Sequence, residues 1–119
     1  MKILLPKPVS VNSLYRVTCR NGYPSTYISQ KGKDWFDEAG WIVRQQFKID
    51  TLNNDVIVYM WVYTTKASDL DNFSKITLDL LQKSQIIKND KQVVELHMYK
   101  ERVKHKKEER MELQIEEWE

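Results

Sequence analysis

Residues 55–64 read DVIVYMWVYT and form the clearest structural element in the chain. Valine and methionine alternate with isoleucine and aromatic residues, which is the two-residue period of a β-strand. Because both alternating sets are apolar or aromatic, we expect a central strand that is covered on both faces of its sheet. The other elements are predicted outward from this strand.

Two amphipathic helices flank the strand in the sequence. The first is predicted over about residues 30–48 with Ser29 as its N-cap, and the second over about 69–84. Their apolar residues recur at helical spacing. These residues are Trp35, Phe36, Ala39, Ile42, Val43 and Phe47 in the first helix, and Phe73, Ile76, Thr77, Leu80 and Leu81 in the second.

Shorter strands complete the prediction, at residues 3–5, 13–18, 25–28, 92–100 and 111–116. Asn21-Gly22 is a favoured hairpin dipeptide and separates the second and third of these. We expect the last strand to form a hairpin with the one before it. The sum is an α/β (α+β) fold, with one domain over residues 1–119 and a single mixed sheet on which two helices pack.

The composition excludes some classes of protein. The 119 residues suit one domain, and a net charge of +2 neither requires nor excludes nucleic acid. A single cysteine, Cys19, can form neither an internal disulfide nor a CxxC zinc site. The apolar run before Pro6 is too short for a signal peptide, and no stretch reaches transmembrane length. We therefore expect a cytoplasmic protein with no membrane partner.

Acidic residues cluster around the second helix. Asp69 and Asp71 flank its start, Lys75 follows Asp71 by four residues, and Asp90 lies in the loop after the helix. Carboxylate oxygens are the protein ligands that Mg²⁺ prefers. A cation one helical turn beyond Asp71 can stabilise charge on a phosphate. The spacing therefore predicts a metal site that acts on phosphate.

A purely structural explanation of the same residues stays open. Asp69 can be an N-cap, Asp71 can complement the helix dipole and pair with Lys75, and Asp90 can be an ordinary loop residue. An EF-hand fits poorly, because Ser74 would stand where glycine is needed and Leu80 where glutamate is needed.

The ordered set of motifs resembles one family. The chain carries Asp69-Leu70-Asp71-Asn72, Lys75, Asp79, Asn89-Asp90-Lys91-Gln92-Val93, Leu5-Pro6-x-Pro8, Asn12, Tyr15-Arg16, Tyr27-Ile28-Ser29, Gly32 and Trp35. In type and spacing these resemble the RusA-type Holliday junction resolvases, small endonucleases common in phages and prophages. The similarity covers nearly the whole chain.

The resemblance implies a Mg²⁺-dependent endonuclease, with Mn²⁺ as a substitute and no small-molecule cofactor. It implies a homodimer that binds four-way DNA junctions and makes paired nicks. Asp69, Asp71 and Asp90 would bind the metal, with Lys75 as the essential cation of the site. A dimer agrees with the substrate, because a four-way junction has approximate two-fold symmetry.

One departure concerns DNA contacts. Family members often carry arginines directly before the first aspartate, whereas this chain has Lys66 as the one cation in residues 64–68. Besides Lys66 and Lys75, the candidates for phosphate contacts are Arg16, Arg20, Lys31 and Lys33, and then Lys100, Arg102, Lys104, Lys106, Lys107 and Arg110. Such contacts give salt-dependent affinity without sequence reading. The bland alternative for residues 100–110 is a solvated hairpin tip.

Two other functions remain compatible with the sequence. One is a related module that grips branched DNA without cutting it, and the other is a metal nuclease that acts on flaps or on duplex DNA. His97 and His105 are each isolated in sequence from any cysteine or second histidine, so we expect surface roles for both.

Overall fold

The computed structural model describes residues 2–7, 15–20, 22–47, 51–66 and 70–118. For residues 15–18, 20, 25, 71 and 72 it describes the backbone and not the side chain. The strands are β1 (Ile3–Leu5), β2 (Tyr15–Arg20), β3 (Tyr23–Ile28), β4 (Val56–Thr64), β5 (Val93–Arg102) and β6 (Arg110–Glu117). The helices are α1 (Gln30–Phe47) and α2 (Asp71–Lys83), and two 3-10 turns cover Asp90–Gln92 and Lys106–Glu108.

The main sheet is mixed and has the order β1-β6-β4-β5. β4 pairs with β5 in parallel and with β6 in antiparallel, and β6 also pairs with β1. The predicted central strand and the α+β class are confirmed. The predicted hairpin between the last two strands is wrong, because β5 and β6 lie on opposite sides of β4. Their connection must therefore cross the end of β4.

The parallel pair β4 and β5 requires a crossover, and α2 supplies it. The predicted apolar stripe of this helix is buried throughout. The stripe packs on the alternate β4 residues Val56, Val58, Met60 and Val62, all of which have no exposed surface. This burial fixes how α2 lies on the sheet, and with it the side of the helix on which Lys75 is exposed.

The second face of β4 is only half-buried, so the prediction of cover on both faces is wrong. Aromatic side chains cover each other there instead. Tyr59 stacks on His97 at 4.8 Å between ring centroids, and Trp61 stacks on Tyr99 at 5.4 Å. Lys2 Nζ lies 4.0 Å from the centroid of Trp61. His97 thus has a packing role in the sheet.

The N-terminal third holds a separate ribbon and α1. β2 and β3 form an antiparallel hairpin whose last pair, Arg20 with Tyr23, leaves two residues for the turn; Gly22 in it has a φ of 80°. Ser29 caps α1 as predicted, since its Oγ accepts from the Gly32 N–H at 3.1 Å. Within the described residues, neither helix combines the length and apolar character that a membrane crossing requires.

Candidate functional site

The start of α2 carries the first part of the acidic motif. Leu70 is the N-cap residue, and its carbonyl accepts a hydrogen bond from the Phe73 N–H at 2.9 Å. Asp71 is the first residue of the helix. Asp69 lies outside the described residues, so the structure gives the backbone position of Asp71 alone for this pair.

Lys75 and Asp79 follow Asp71 at intervals of four residues and share its helical face. Lys75 is exposed and Asp79 is half-buried, while Ile76 and Leu80 beside them in sequence are buried. The predicted arrangement of an exposed cation one turn beyond Asp71 is therefore present. Its ammonium group can reach a ligand that approaches this side of the helix.

Asp90 lies on a tightly built turn. The Asn89 side chain accepts from the Lys91 N–H at 2.9 Å. Gln92 Oε1 accepts from the backbone N–H groups of Lys88 at 2.7 Å and Asn89 at 3.1 Å. Asn89 and Gln92 thus form a reciprocal capping box around Asp90, which is itself exposed.

The same glutamine fixes the turn to the sheet. Gln92 Nε2 donates to the carbonyl oxygens of Leu52 and Asn54, both at 2.9 Å. Two of the four hydrogen bonds of this side chain therefore hold the turn on the segment that enters β4. The motif Asn89-Asp90-x-Gln92 has a physical meaning here: the two amide residues position the carboxylate between them. The sequence did not predict that Gln92 positions the Asp90 turn.

The Asp90 turn is also tied to the end of α2. The Leu81 carbonyl accepts from the Ile86 N–H at 3.0 Å, and the Leu52 N–H donates to the Ile86 carbonyl at 2.8 Å. Leu81 follows Asp71 by ten residues, which is about 15 Å of helix, so Asp71 and the Asp90 turn lie at opposite ends of α2 within one chain. Among the described residues, no group of three or more His, Cys, Asp or Glu side chains is close enough to hold a metal. The three-aspartate metal site thus stays a prediction.

The basic connection between β5 and β6 lies across the exit of β4. The Val103 N–H donates to the Thr64 carbonyl at 3.0 Å, and Arg102 Nη2 donates to the Thr65 carbonyl at 3.1 Å. Lys100 is exposed near the end of β5, and Lys104, Lys106 and Lys107 are exposed on this connection. Residues 64–66 lead directly to Asp69, so the connection places positive charge beside the chain segment that enters the acidic motif.

Glu109 closes this contact and was missed as a site residue. Its Oε2 accepts from the backbone N–H and the hydroxyl of Thr65, both at 2.9 Å, and Lys7 Nζ lies 3.7 Å away. The hydrogen bond from the Thr65 N–H is the main cause that lowers the pKa of Glu109, against the opposing effect of burial. The carboxylate is therefore ionised at neutral pH.

The other DNA candidates lie on the N-terminal elements. Lys31 and Lys33 are exposed in the first turn of α1. Arg16 pairs with Tyr27 in the β2–β3 hairpin. Trp35 is core, as expected, with its Nε1 donating to the Pro6 carbonyl at 2.9 Å.

The mixed sheet with its crossover helix α2 and the capped Asp90 turn define a small α+β domain. The family profile described as Endodeoxyribonuclease RusA matches residues 6–116. The chain belongs to the RusA endodeoxyribonuclease family.

A curated relative supports the same assignment. The crossover junction endodeoxyribonuclease RusA of Aquifex aeolicus (strain VF5) is 32% identical over 69 residues, which are 56% of this chain and 55% of that protein. The chain therefore matches about half the length of that relative.

Proposed function

We propose that this protein is a divalent-metal-dependent endodeoxyribonuclease that resolves four-way DNA junctions by paired nicks. Family membership supports the reaction class. The observation that carries the proposal is the hydrogen bonding of the basic β5–β6 connection to Thr64 and Thr65. This bonding brings exposed lysines close to the chain segment that precedes Asp69 and Asp71. Positive charge next to a carboxylate cluster is what a phosphodiesterase needs.

Asp69, Asp71 and Asp90 are the proposed metal ligands, with Asp90 contributed by the other subunit of the proposed homodimer, because Asp71 and the Asp90 turn lie at opposite ends of α2 within one chain. Three carboxylates form an oxygen donor set that fits Mg²⁺, and Mn²⁺ accepts the same ligands. When bound, the ion supplies an activated water and stabilises charge on the phosphate. The Asn89 and Gln92 bonds hold Asp90 in place without using its carboxylate, which is left exposed for a ligand.

Lys75 is the proposed cationic stabiliser of the scissile phosphate. It is exposed one turn beyond Asp71, on a helix whose rotation is fixed by its buried stripe. A preorganised ammonium group stabilises the negative charge that develops on the phosphate oxygens during hydrolysis.

The DNA backbone would be held by the cations of the β4 exit and of the β5–β6 connection, namely Lys66, Arg102 and Lys104, with Lys31, Lys33 and Arg16 as a second set. These contacts bind phosphate and do not read bases. Lys66 and Lys104 are exposed, as phosphate contacts must be. Arg102 also braces the Thr65 carbonyl, so it has a structural role in addition.

A homodimer is part of the proposal, since two sites related by a two-fold axis can cut the two opposed strands of a junction. Because its substrate is DNA, we propose that the enzyme acts in the cytoplasm of the cell that carries or replicates this DNA.

The test compares cleavage of a synthetic four-way junction, a flap and a linear duplex during a Mg²⁺ titration. The junction should be cut in paired positions and in preference to the other two. The Asp71→Asn variant should bind the junction but not cut it. Equal cleavage of all three substrates would replace junction resolution with a general nuclease. Binding without any cleavage by the wild type would leave a non-cutting junction-binding module.

A further inference from the structure

We infer that Glu109 is a positioning residue for the catalytic segment: from the β5–β6 connection it holds the β4 exit that leads to Asp69 and Asp71. The inference rests on the proposed function, since it assigns a role toward that same site.

One carboxylate oxygen organises three consecutive residues. Glu109 Oε2 accepts from the Thr65 N–H at 2.9 Å, from the Thr65 hydroxyl at 2.9 Å and from the Thr64 hydroxyl at 3.4 Å. The Thr64 Oγ1 in turn accepts from the Lys66 N–H at 3.1 Å. Residues 64–66 are thus tied to Glu109 directly or through one hydroxyl group, and two residues separate them from Asp69.

The surroundings favour a fixed geometry. The Glu109 side chain is 12% exposed and Thr64 is fully buried, so these bonds are little disturbed by water. Hydrogen bonds to an ionised acceptor are roughly twice as strong as neutral ones. A buried carboxylate that lost its donors would carry an uncompensated charge, which favours the bonded arrangement further.

A third segment joins at the same carboxylate. Lys7 Nζ lies 3.7 Å from Glu109 Oε2, and the Lys7 side chain is 9% exposed. The preceding residue is held independently, because the Pro6 carbonyl accepts from Trp35 Nε1 of α1. Glu109 therefore stands where the N-terminal segment, the β4 exit and the β5–β6 connection meet.

The β4 exit lacks a residue type that would by itself fix its conformation. The exit residues Thr64, Thr65 and Lys66 contain neither proline nor glycine to set the turn. Fixing the backbone of each residue costs conformational entropy. Yet catalytic carboxylates must be placed well, since a displacement of about 1 Å can cost roughly a hundredfold in rate. A remote carboxylate that binds the exit backbone meets both demands.

The experiment measures single-turnover junction cleavage, junction binding and the unfolding temperature for wild type, Glu109→Ala and Glu109→Gln. Glu101→Gln is the matched control, because Glu101 is exposed at the same end of β5. Glu109→Ala should cleave about 10- to 100-fold more slowly, while its junction affinity stays within about threefold. Glu109→Gln should recover part of the rate, because its amide oxygen can still accept from Thr65. The control should cleave like wild type.

Thr65→Val keeps Glu109 and removes one donor, so it serves if Glu109→Ala does not fold. It should slow cleavage about fivefold without a matching loss of binding. Wild-type cleavage by both Glu109→Ala and Thr65→Val would overturn the inference and leave the proposed function standing. Equal losses of rate and binding, with no recovery in Glu109→Gln, would reduce Glu109 to a stabilising residue. If the wild type does not cut the junction, the proposed function itself fails.

Discussion

The turn that carries Asp90 and the β4 exit that leads to Asp69 are held in place by different means. Asn89 and Gln92, which lie one and two residues from Asp90 in the sequence, cap its turn. The β4 exit is held by Glu109, which is 44 residues from Thr65 in the sequence. The Asp90 turn is thus capped by its own motif, and the β4 exit is held by a distant part of the fold.

This difference has a consequence for how each region responds to mutation. The capping bonds of the Asp90 turn lie within residues 88–92, although Gln92 also donates to the distant carbonyls of Leu52 and Asn54. The β4 exit depends on the chain crossing the sheet between β5 and β6, and only the complete fold brings Glu109 to it. Substitutions at the two regions should therefore distinguish the loss of a carboxylate charge from the loss of the hydrogen bonds that position it.

The largest effect is expected from Asp90→Asn. The side chain of Asp90 makes none of the bonds that build the turn, so the variant should fold normally while it loses a metal ligand. We expect cleavage to fall about a thousandfold, equivalent to about 4 kcal/mol of transition-state stabilisation. Asp37→Asn, an exposed position on α1, is the control and should cleave at the wild-type rate.

Gln92→Ala tests placement with the charge kept. It removes four hydrogen bonds that join the turn to residues 52–54 and 88–89. We expect cleavage to drop about 10- to 100-fold and the free energy of unfolding to fall by about 1–3 kcal/mol. Gln46→Ala, exposed on α1, should change neither. An unchanged cleavage rate in Gln92→Ala would show that the Gln92 hydrogen bonds are not needed to position Asp90.

The basic connection can be tested without touching either acid region. Replacing Lys104, Lys106 and Lys107 with alanine should weaken junction binding. It should also reduce the slope of log affinity against log salt by up to about three. Binding measured between low and moderate salt gives this slope directly. Arg44→Ala, at the last turn of α1, is the control. An unaltered slope would mean that residues 104–107 are a solvated tip that does not contact DNA phosphates.

The smallest effect concerns pH. The pKa of Glu109 is lower in the folded protein than its usual 4.5, so its ionisation stabilises the fold above that value. This contribution is lost as pH falls through the folded pKa. Wild type should therefore exceed Glu109→Gln in free energy of unfolding at neutral pH, and the two should converge as the pH falls below 4.5 and through the lower folded pKa of Glu109. Denaturant unfolding at several pH values checks this, and a pH-independent difference would contradict it.

The sequence predicted what short-range patterns encode. The alternation in β4 and the helical spacing of Phe73, Ile76 and Leu80 gave the central strand and the buried face of α2, and Ser29 was found as a cap. The open aromatic face of β4 was misjudged, because an aromatic side chain is compatible with both a buried and a half-exposed position.

The two main failures have one cause. A short connection between β5 and β6 suggests a hairpin, but β4 takes β5 as a parallel partner on one side and β6 on the other. The connection then passes over the end of β4, and Glu109 reaches Thr65 because of that path. Strand order is set by long-range pairing, so neither the topology nor the role of Glu109 could be seen in local patterns.

The most direct test of the account is whether Asp71 and Asp90 bind the same ion. Mn²⁺ titration of wild type, Asp71→Asn and Asp90→Asn, followed by calorimetry, gives the affinity of each form. The account predicts that either substitution alone weakens Mn²⁺ binding by at least about tenfold. Wild-type affinity in Asp90→Asn, with binding lost in Asp71→Asn, would show that Asp90 is no ligand and would contradict the proposed site.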